Sequence, residues 1–583
     1  MTARRLPSRA GSPPGAVPAS AFRRAAAKVL APLLALALLA GCAQLPGSGP
    51  VVAADPTVSA APSLGLYARG PQEGATPEEV VQGFLAASAT GFADDFSVAR
   101  EFLGGQATTG WQPLAQARVY ADHVEPSIAT TDDGGVSVST ELLAVVDGSG
   151  HYTESASDHE IVTDFTLARD DDGEWRIIDL EDGVLLSAES FSVQYTAAPL
   201  YFPAADGETV VADLRHYPRQ HLAASLVQGV LSGPSAWLEP AVLTPAPLST
   251  RLVLSSVDVA DGVATVDLTD DVLEASSRER ELLVAQLRRT LAAVPGVSDV
   301  TVTVGGNALA IGSVPQLPAY PYRPQPLLAV SDGELVELDG GLAVRVTGAA
   351  APRTGEASAP AGSPADPPDG QVYLDGPTRM MAAPTAGRSA RLVVSGSNLV
   401  APSMDRYGWA WTGETTNTGS LRTAVPSGGT AEVDAPWLDG SVVRALRVSR
   451  EGSRVAVIRE QGGSVLVEVA GVQRATDDTP RSLGTAQARV GVGLVDATDL
   501  AWIDSTTLVV LGRTATDPGP RPYLVRIGGD TEPLPVLQGA VSLTGGRGET
   551  SIVVQTSDDG IYERTGASWT RVADDLADPA YPG

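Results

Sequence analysis

The chain has 583 residues, a formal charge of −29 and one cysteine. A lone thiol excludes an intramolecular disulfide and any Cys-x-x-Cys metal or redox site. A surface this acidic repels DNA, RNA and anionic lipid, so nucleic-acid binding is excluded. The length allows roughly three or four domains of about 100–200 residues each. Gly (61) and Pro (44) are in excess, and alternation of apolar and polar residues over most of the chain marks the excess as turns.

The N-terminus carries Arg4, Arg5, Arg9, Arg23, Arg24 and Lys28 and no acid, followed by the 12 apolar residues Val29 to Ala40. A membrane-spanning helix needs about 20 residues, so this run fits the apolar core of a secretory signal peptide. Next stands Leu39-Ala40-Gly41-Cys42. It resembles the bacterial lipobox, in which the small residues suit the signal peptidase and the cysteine thiol accepts a diacylglyceryl group. The resemblance implies a signal peptide over 1–41, with Leu39, Ala40 and Gly41 for recognition and Cys42 for lipid attachment. Two acyl chains on one residue meet the requirement for stable anchoring. Losing the six basic residues of 1–41 would take the charge from −29 to −35. Residues 42–72, rich in Pro, Gly, Ser and Ala, read as a flexible tether.

Residues 73–190 form a first domain. Thr76-Pro77-Glu78-Glu79 is a helix start, with Thr76 as N-cap, Pro77 in the first turn and Glu79 three residues beyond the cap. Val80, Val81, Phe84 and Leu85 continue it as an apolar stripe. A second short helix is predicted over 94–103, then strands over 135–147, 158–169 and 173–181. Helices followed by an antiparallel sheet resemble the nuclear-transport-factor-2-like cone, a fold that does not by itself imply function. His151 and His159 lack a third metal ligand at credible spacing and read as surface or edge residues.

Residues 191–310 open with strands near 193–202 and 208–214, then a helix over 221–231 and the turn Ser232-Gly233-Pro234-Ser235. The run VDVADGVATVDL is a hairpin about Asp261-Gly262. A helix over 275–293 has a core face of Leu282, Leu283, Ala285, Gln286, Leu287 and Leu291, and a strand covers 300–304. Together these segments resemble the GerMN domain, a small α/β module of exported bacterial proteins. Ser232, Ser235 and His221 are the nominal candidates for nucleophilic catalysis, but no Gly-x-Ser-x-Gly elbow accompanies them. Asp258, Asp261, Asp267, Asp270 and Asp271 lack the calcium-loop pattern and read as solvated turn acids.

Residues 311–326 are a linker. From 327 to 583 short strands recur at spacings of about 40–55 residues, as a four-stranded blade requires. Ala445 to Ile458, with Glu451 in a position where propeller hairpins often have Asp, is the sharpest unit. The expectation is a β-propeller of five or six blades, with a pair of β-sandwiches as the rival fold. The segment 348–370 reads as a disordered loop from its Ala, Pro, Gly and Ser content.

The order of these parts, with Leu231-Ser232-Gly233-Pro234-Ser235, Ala285-Gln286-Leu287, Leu399, Ala401-Pro402-Ser403 and Ala445-Leu446-Arg447-Val448-Ser449, resembles the actinobacterial LpqB lipoprotein family over essentially the full length. The fold class it implies is multidomain α+β and all-β: an NTF2-like N-terminal domain, a GerMN domain and a C-terminal β-propeller. The implied protein is a non-enzymatic lipoprotein on the extracytoplasmic face of the cell membrane. It is anchored through acylated Cys42, binds no cofactor or metal, and modulates a two-component sensor histidine kinase through the kinase's extracytoplasmic domain. The alternative is an envelope glycan-binding or hydrolytic protein that uses the propeller channel, with Trp409, Trp411 and Trp437 stacking a sugar and a carboxylate pair about 5–10 Å apart as acid and base.

Overall fold

The computed structural model describes residues 69–132, 134–156, 159–339, 342–346, 357–365, 368, 370–385 and 387–583. Leu39, Ala40, Gly41 and Cys42, the proposed signal peptide and nearly all of the tether lie outside these residues. Residues 66–583 form one compact unit.

Helix α1, Pro77–Thr90, begins with a reciprocal capping box: the Thr76 hydroxyl accepts from Glu79 N, and the Glu79 carboxylate accepts from Thr76 N. Pro77 has no N–H, so two of the three orphan donors at this helix start are thereby satisfied. The helix buries Val80, Val81, Phe84 and Ala87 against a sheet ordered Trp175–Asp179, Glu160–Arg169, Val136–Asp147, Gln116–Tyr120, Val184–Ser187. All neighbours in that path are antiparallel except the last pair. Strict alternation along the 12-residue central strand puts Val136, Val138 and Ala144 in the core. The predicted helix over 94–103 is a correction. Asp95 and Phe96 adopt left-handed φ values of 54° and 60°, leaving only Ser97–Arg100 as a helical turn. The kink turns Phe96 inward, edge-on to Trp111 at 5.7 Å and to Phe92 at 4.9 Å, and aromatic burial outweighs one turn of helix.

The middle region starts with the long hairpin Tyr195–Pro203 and Val210–Pro218. Helices α2, Leu222–Ser232, and α3, Ser277–Leu291, follow. Strand Val263–Leu268 pairs in parallel with Asp299–Val304, and α3 supplies the crossover that a parallel pair needs. α3 has its own capping box, Ser276 with Glu279, and buries Leu282, Leu283, Ala285, Gln286, Leu287 and Leu291. The connection after it is packed against this region: Val210 N donates to Pro318 O at 3.1 Å, and Leu317 is buried beside Val210, Leu282 and Ala285.

The C-terminal region is all β. Among the described residues it has six groups of strands, five of four strands and the fourth of five, with Ala488–Val490 as its extra strand; the third and fourth are joined through the single pair Asp434 and Ser482. The innermost strand of each group touches the next in a closed ring: Ala577–Ala580, Ala357–Gly362, Ser403–Met404, Val442–Val448, Asp496–Trp502, Ala540–Gly545 and back. This is a six-bladed propeller. The last strand pairs with Leu327–Ser331 and so completes the first blade from the far end of the chain. Strand Ala357–Gly362 overturns part of the disordered-loop expectation for 348–370, while 348–356 lie outside the described residues. Its Ala, Ser, Pro and Gly side chains are small because inner strands converge on the ring axis; a Cβ on Gly362 would meet Leu328 Cδ1 at 3.1 Å.

Candidate interaction site at the propeller mouth

The residues nominated for nucleophilic chemistry are held in structural bonds. Ser232 Oγ donates to Gln228 O, closing the last turn of α2. Ser235 Oγ donates to Asp213, whose buried carboxylate also takes Ser235 N and Nε and Nη2 of Arg215. His221, at φ 58°, precedes α2 with its side chain exposed. Among the described residues, His221 makes no hydrogen bond to Ser232 or Ser235. Asp213 and Arg215 escaped the sequence reading, although their spacing of two on a strand puts both side chains on one face. Among the turn acids, Asp267 accepts from Thr303 and Gly306, which holds its carboxyl below the usual range, and Asp271 accepts from Thr269. His151 pairs with Asp147 at 2.9 Å. Among the described residues no three His, Cys, Asp or Glu side chains are grouped to hold a metal ion.

The tryptophans proposed for sugar stacking serve blade packing. Trp411 is fully buried and donates its indole N–H to Asp405 at 2.8 Å, while Trp409 and Trp437 pack against the same blade core. Inner-strand carboxylates act as clamps between blades. Asp499 takes Arg447 Nη2 at 3.1 Å from the preceding blade and Leu543 N at 3.0 Å from the following one. Burial pushes its carboxyl up despite Arg447. Asp578 takes Ala359 N at 2.8 Å. Both acids therefore spend oxygens on the ring's closure.

The turns from first to second strand of successive blades form the propeller mouth, and the middle region and its exit connection cover that mouth. Asp206 pairs with Arg406 of the third blade. Gly471 N of the fourth blade donates to Trp237 O at 2.9 Å, and the same carbonyl lies 2.9 Å from where a Cβ on Gly471 would sit, so this docking requires glycine. Tyr320 OH donates to Pro364 O at the second blade. Between Tyr322, the first-strand turns of the fourth, fifth and sixth blades, and Arg289 of α3 lies a cavity of about 590 Å³. Arg289, Arg450, Arg454 and Arg547 line it, with Glu451 and Asp504. Glu451 and Arg454 form a buried pair at 2.7 Å, and Arg454 lies over Trp502 at 4.6 Å. Burial pushes the Glu451 carboxyl up, but Arg454 and its hydrogen bonds outweigh burial and hold it below the usual range. Glu451, singled out in the sequence as a departure from Asp, thus has the reach to pair within its own hairpin.

The N-terminal region joins the other two by partly buried polar contacts. Arg215 Nη1 and Tyr217 OH both donate to Ser149 O, at 2.9 and 3.0 Å. Glu154 accepts from Val492 N, Thr531 N and Thr531 Oγ1 of the propeller, at 3.2, 3.1 and 2.8 Å.

Three family profiles match consecutive parts of the chain: "Lipoprotein LpqB, N-terminal domain" over 70–192, "Sporulation and spore germination" over 199–310, and "Lipoprotein LpqB beta-propeller domain" over 333–582. The chain belongs to the LpqB lipoprotein family. A "Lipoprotein LpqB" of Streptomyces avermitilis is 28% identical over 94% of this chain and 96% of its own length. One from Thermobifida fusca is 28% identical over 89% and 92%. The first GerMN domain of the sporulation protein GerM from Bacillus subtilis is 22% identical with a TM-score of 0.18, covering 21% of this chain and 94% of that domain. Members of this family are cell-envelope lipoproteins, and no described helix here is long and apolar enough to cross a membrane.

Proposed function

We propose that this protein is an accessory lipoprotein of the extracytoplasmic membrane face that modulates a two-component sensor histidine kinase by binding the kinase's extracytoplasmic domain, without catalysing a reaction. Acylated Cys42 holds it to membrane lipid, the segment 42–72 tethers it, and the N-terminal α+β region is an NTF2-like cone.

One observation carries the reading: three modules are held in one compact unit by partly buried polar contacts, and of the residues nominated for catalysis Ser232 closes its own helix, Ser235 is bonded to Asp213 and His221 is exposed. Ser235, Asp213, Asp499 and Asp578 all bond to neighbouring segments. A compact unit with its modules already in contact binds a partner with less ordering cost than separate modules on free linkers. It shifts a kinase between two states only by the difference in its affinity for them.

The test is calorimetric titration of the full-length chain, in non-ionic detergent, with the purified extracytoplasmic domain of the kinase. Saturable binding at micromolar affinity or better is expected. No saturable heat, with both proteins shown to be folded, overturns direct contact.

A further inference from the structure

The buried arginines of this molecule come with carboxylates. Arg215 has Asp213, Arg454 has Glu451, Arg459 has Glu468 and Arg474 has Asp405, each pair within 2.6–2.7 Å. Arg450 does not follow the pattern. Its guanidinium donates to three main-chain carbonyls, Pro582 at 3.3 Å, Gly546 at 2.8 Å and Gly545 at 3.0 Å. The ring of Tyr322 lies 4.7 Å away. The nearest acid in sequence, Glu451, is turned to Arg454. Three acceptors occupy three of five N–H groups, and carbonyl dipoles do not neutralise the charge. Burial accordingly pushes this guanidinium down.

Two further arginines on the wall of the same cavity make no hydrogen bond or ion pair among the described residues. Arg547 is exposed on the turn into the second strand of the sixth blade. Arg289 is exposed on α3, with only the Tyr201 ring 4.9 Å below it. Against them stands Asp504, one of whose oxygens accepts from Thr506 N and Oγ1. Setting the Arg454 and Glu451 pair aside, the wall carries three cations and one anion, on a chain whose net charge is −29.

We infer that the cavity at the propeller mouth binds a small oxyanion, a phosphate or a carboxylate, with Arg450 as its floor and Arg289 and Arg547 as its rim. Guanidinium forks match the geometry of both groups. A volume of about 590 Å³ falls within the ~300–1,000 Å³ usual for small-molecule sites. The acidic body selects against extended polyanions, because only the recessed group is close enough to the arginines to escape the surrounding field, which is screened beyond about 10 Å. A ligand here touches the middle region, its exit connection and three blades together, so binding would tie these parts to one another. The inference stands independently of the kinase reading.

The test is calorimetric titration of the full-length chain with pyrophosphate and, separately, with citrate. Two charge-reversed variants are compared: Arg289→Glu with Arg547→Glu at the rim, and Arg481→Glu with Arg489→Glu, exposed on the fourth blade. Both pairs change the net charge equally. Saturable binding of at least one probe is expected, weakened roughly tenfold or more by the rim pair and far less by the control pair. Binding of pyrophosphate alone identifies a phosphate ligand, and binding of citrate alone a carboxylate. No saturable binding of either probe, or equal weakening by both variant pairs, overturns the inference.

Discussion

His216 shows how a single buried ring makes the whole unit sensitive to acid. It sits on the strand Val210–Pro218, with its main-chain N–H donating to Gly150 O at 2.8 Å. Its ring is 5.0 Å from Tyr152 and 5.7 Å from Phe191, both of the N-terminal region. Nδ1 is buried without a hydrogen-bond partner. Burial pulls the imidazole down to about 4, against a weaker upward pull from Asp530. In the unfolded chain the ring titrates near ~6.5. Below that pH the unfolded state takes up a proton that the folded state refuses. The stabilisation is complete above about pH 6.5 and is lost as pH falls toward 4, at no more than about 1.4 kcal/mol per pH unit. Between pH 7 and pH 5 the wild type should therefore lose about 2 kcal/mol more than His216→Phe. Urea unfolding of both proteins at the two pH values measures this difference, and parallel losses would refute it. The residue was not legible as special in sequence: nothing local marks Arg215-His216-Tyr217, because the rings that bury it belong to another module.

At the scale of elements, legibility depended on whether the signal was local. The capping box at Thr76 and Glu79 and the apolar face of α3 are written within a few residues, and both elements form where those residues stand. The Asp261-Gly262 turn is likewise local: Asp261 and Gly262 both have positive φ. The number of blades was open between five and six, because the closing strand Ala577–Ala580 pairs with Leu327–Ser331 from the other end of the domain. The inner strand Ala357–Gly362 was hidden for a different reason. Its composition is that of an unfolded segment, yet small residues are what the crowded ring accepts. Ala361 lies in the core with Val372, Leu374 and Met380. Ala361→Leu should therefore destabilise by about 1–3 kcal/mol through overpacking, whereas a substitution in a disordered surface loop stays within about 0.5 kcal/mol. The urea midpoint of the variant decides between the two.

The whole molecule depends on contacts between residues far apart in sequence, and these were beyond the reach of any pattern. Glu154 is the sharpest case. Burial pushes its carboxyl up, so the N-terminal region pays a desolvation cost to reach the propeller. That cost is offset by three hydrogen bonds from Val492 and Thr531. Truncation to alanine removes the acceptor and leaves three donors on the propeller side to find water or go unsatisfied, at about 1–3 kcal/mol for each one that stays buried. The Arg215 and Tyr217 contacts to Ser149 remain, so the N-terminal region stays tethered to the middle region while losing its hold on the fifth blade. Amide exchange at Val492 and Thr531 should accelerate in Glu154→Ala, since local opening no longer breaks these bonds. Exchange in the ring-forming strand Val442–Val448 should not change. In differential scanning calorimetry the N-terminal region of Glu154→Ala should then unfold at a lower temperature than in the wild type. Unchanged exchange at Val492 and Thr531 would mean that the carboxylate contributes nothing to docking, and would locate the union of the modules entirely in the middle region's contacts with the other two.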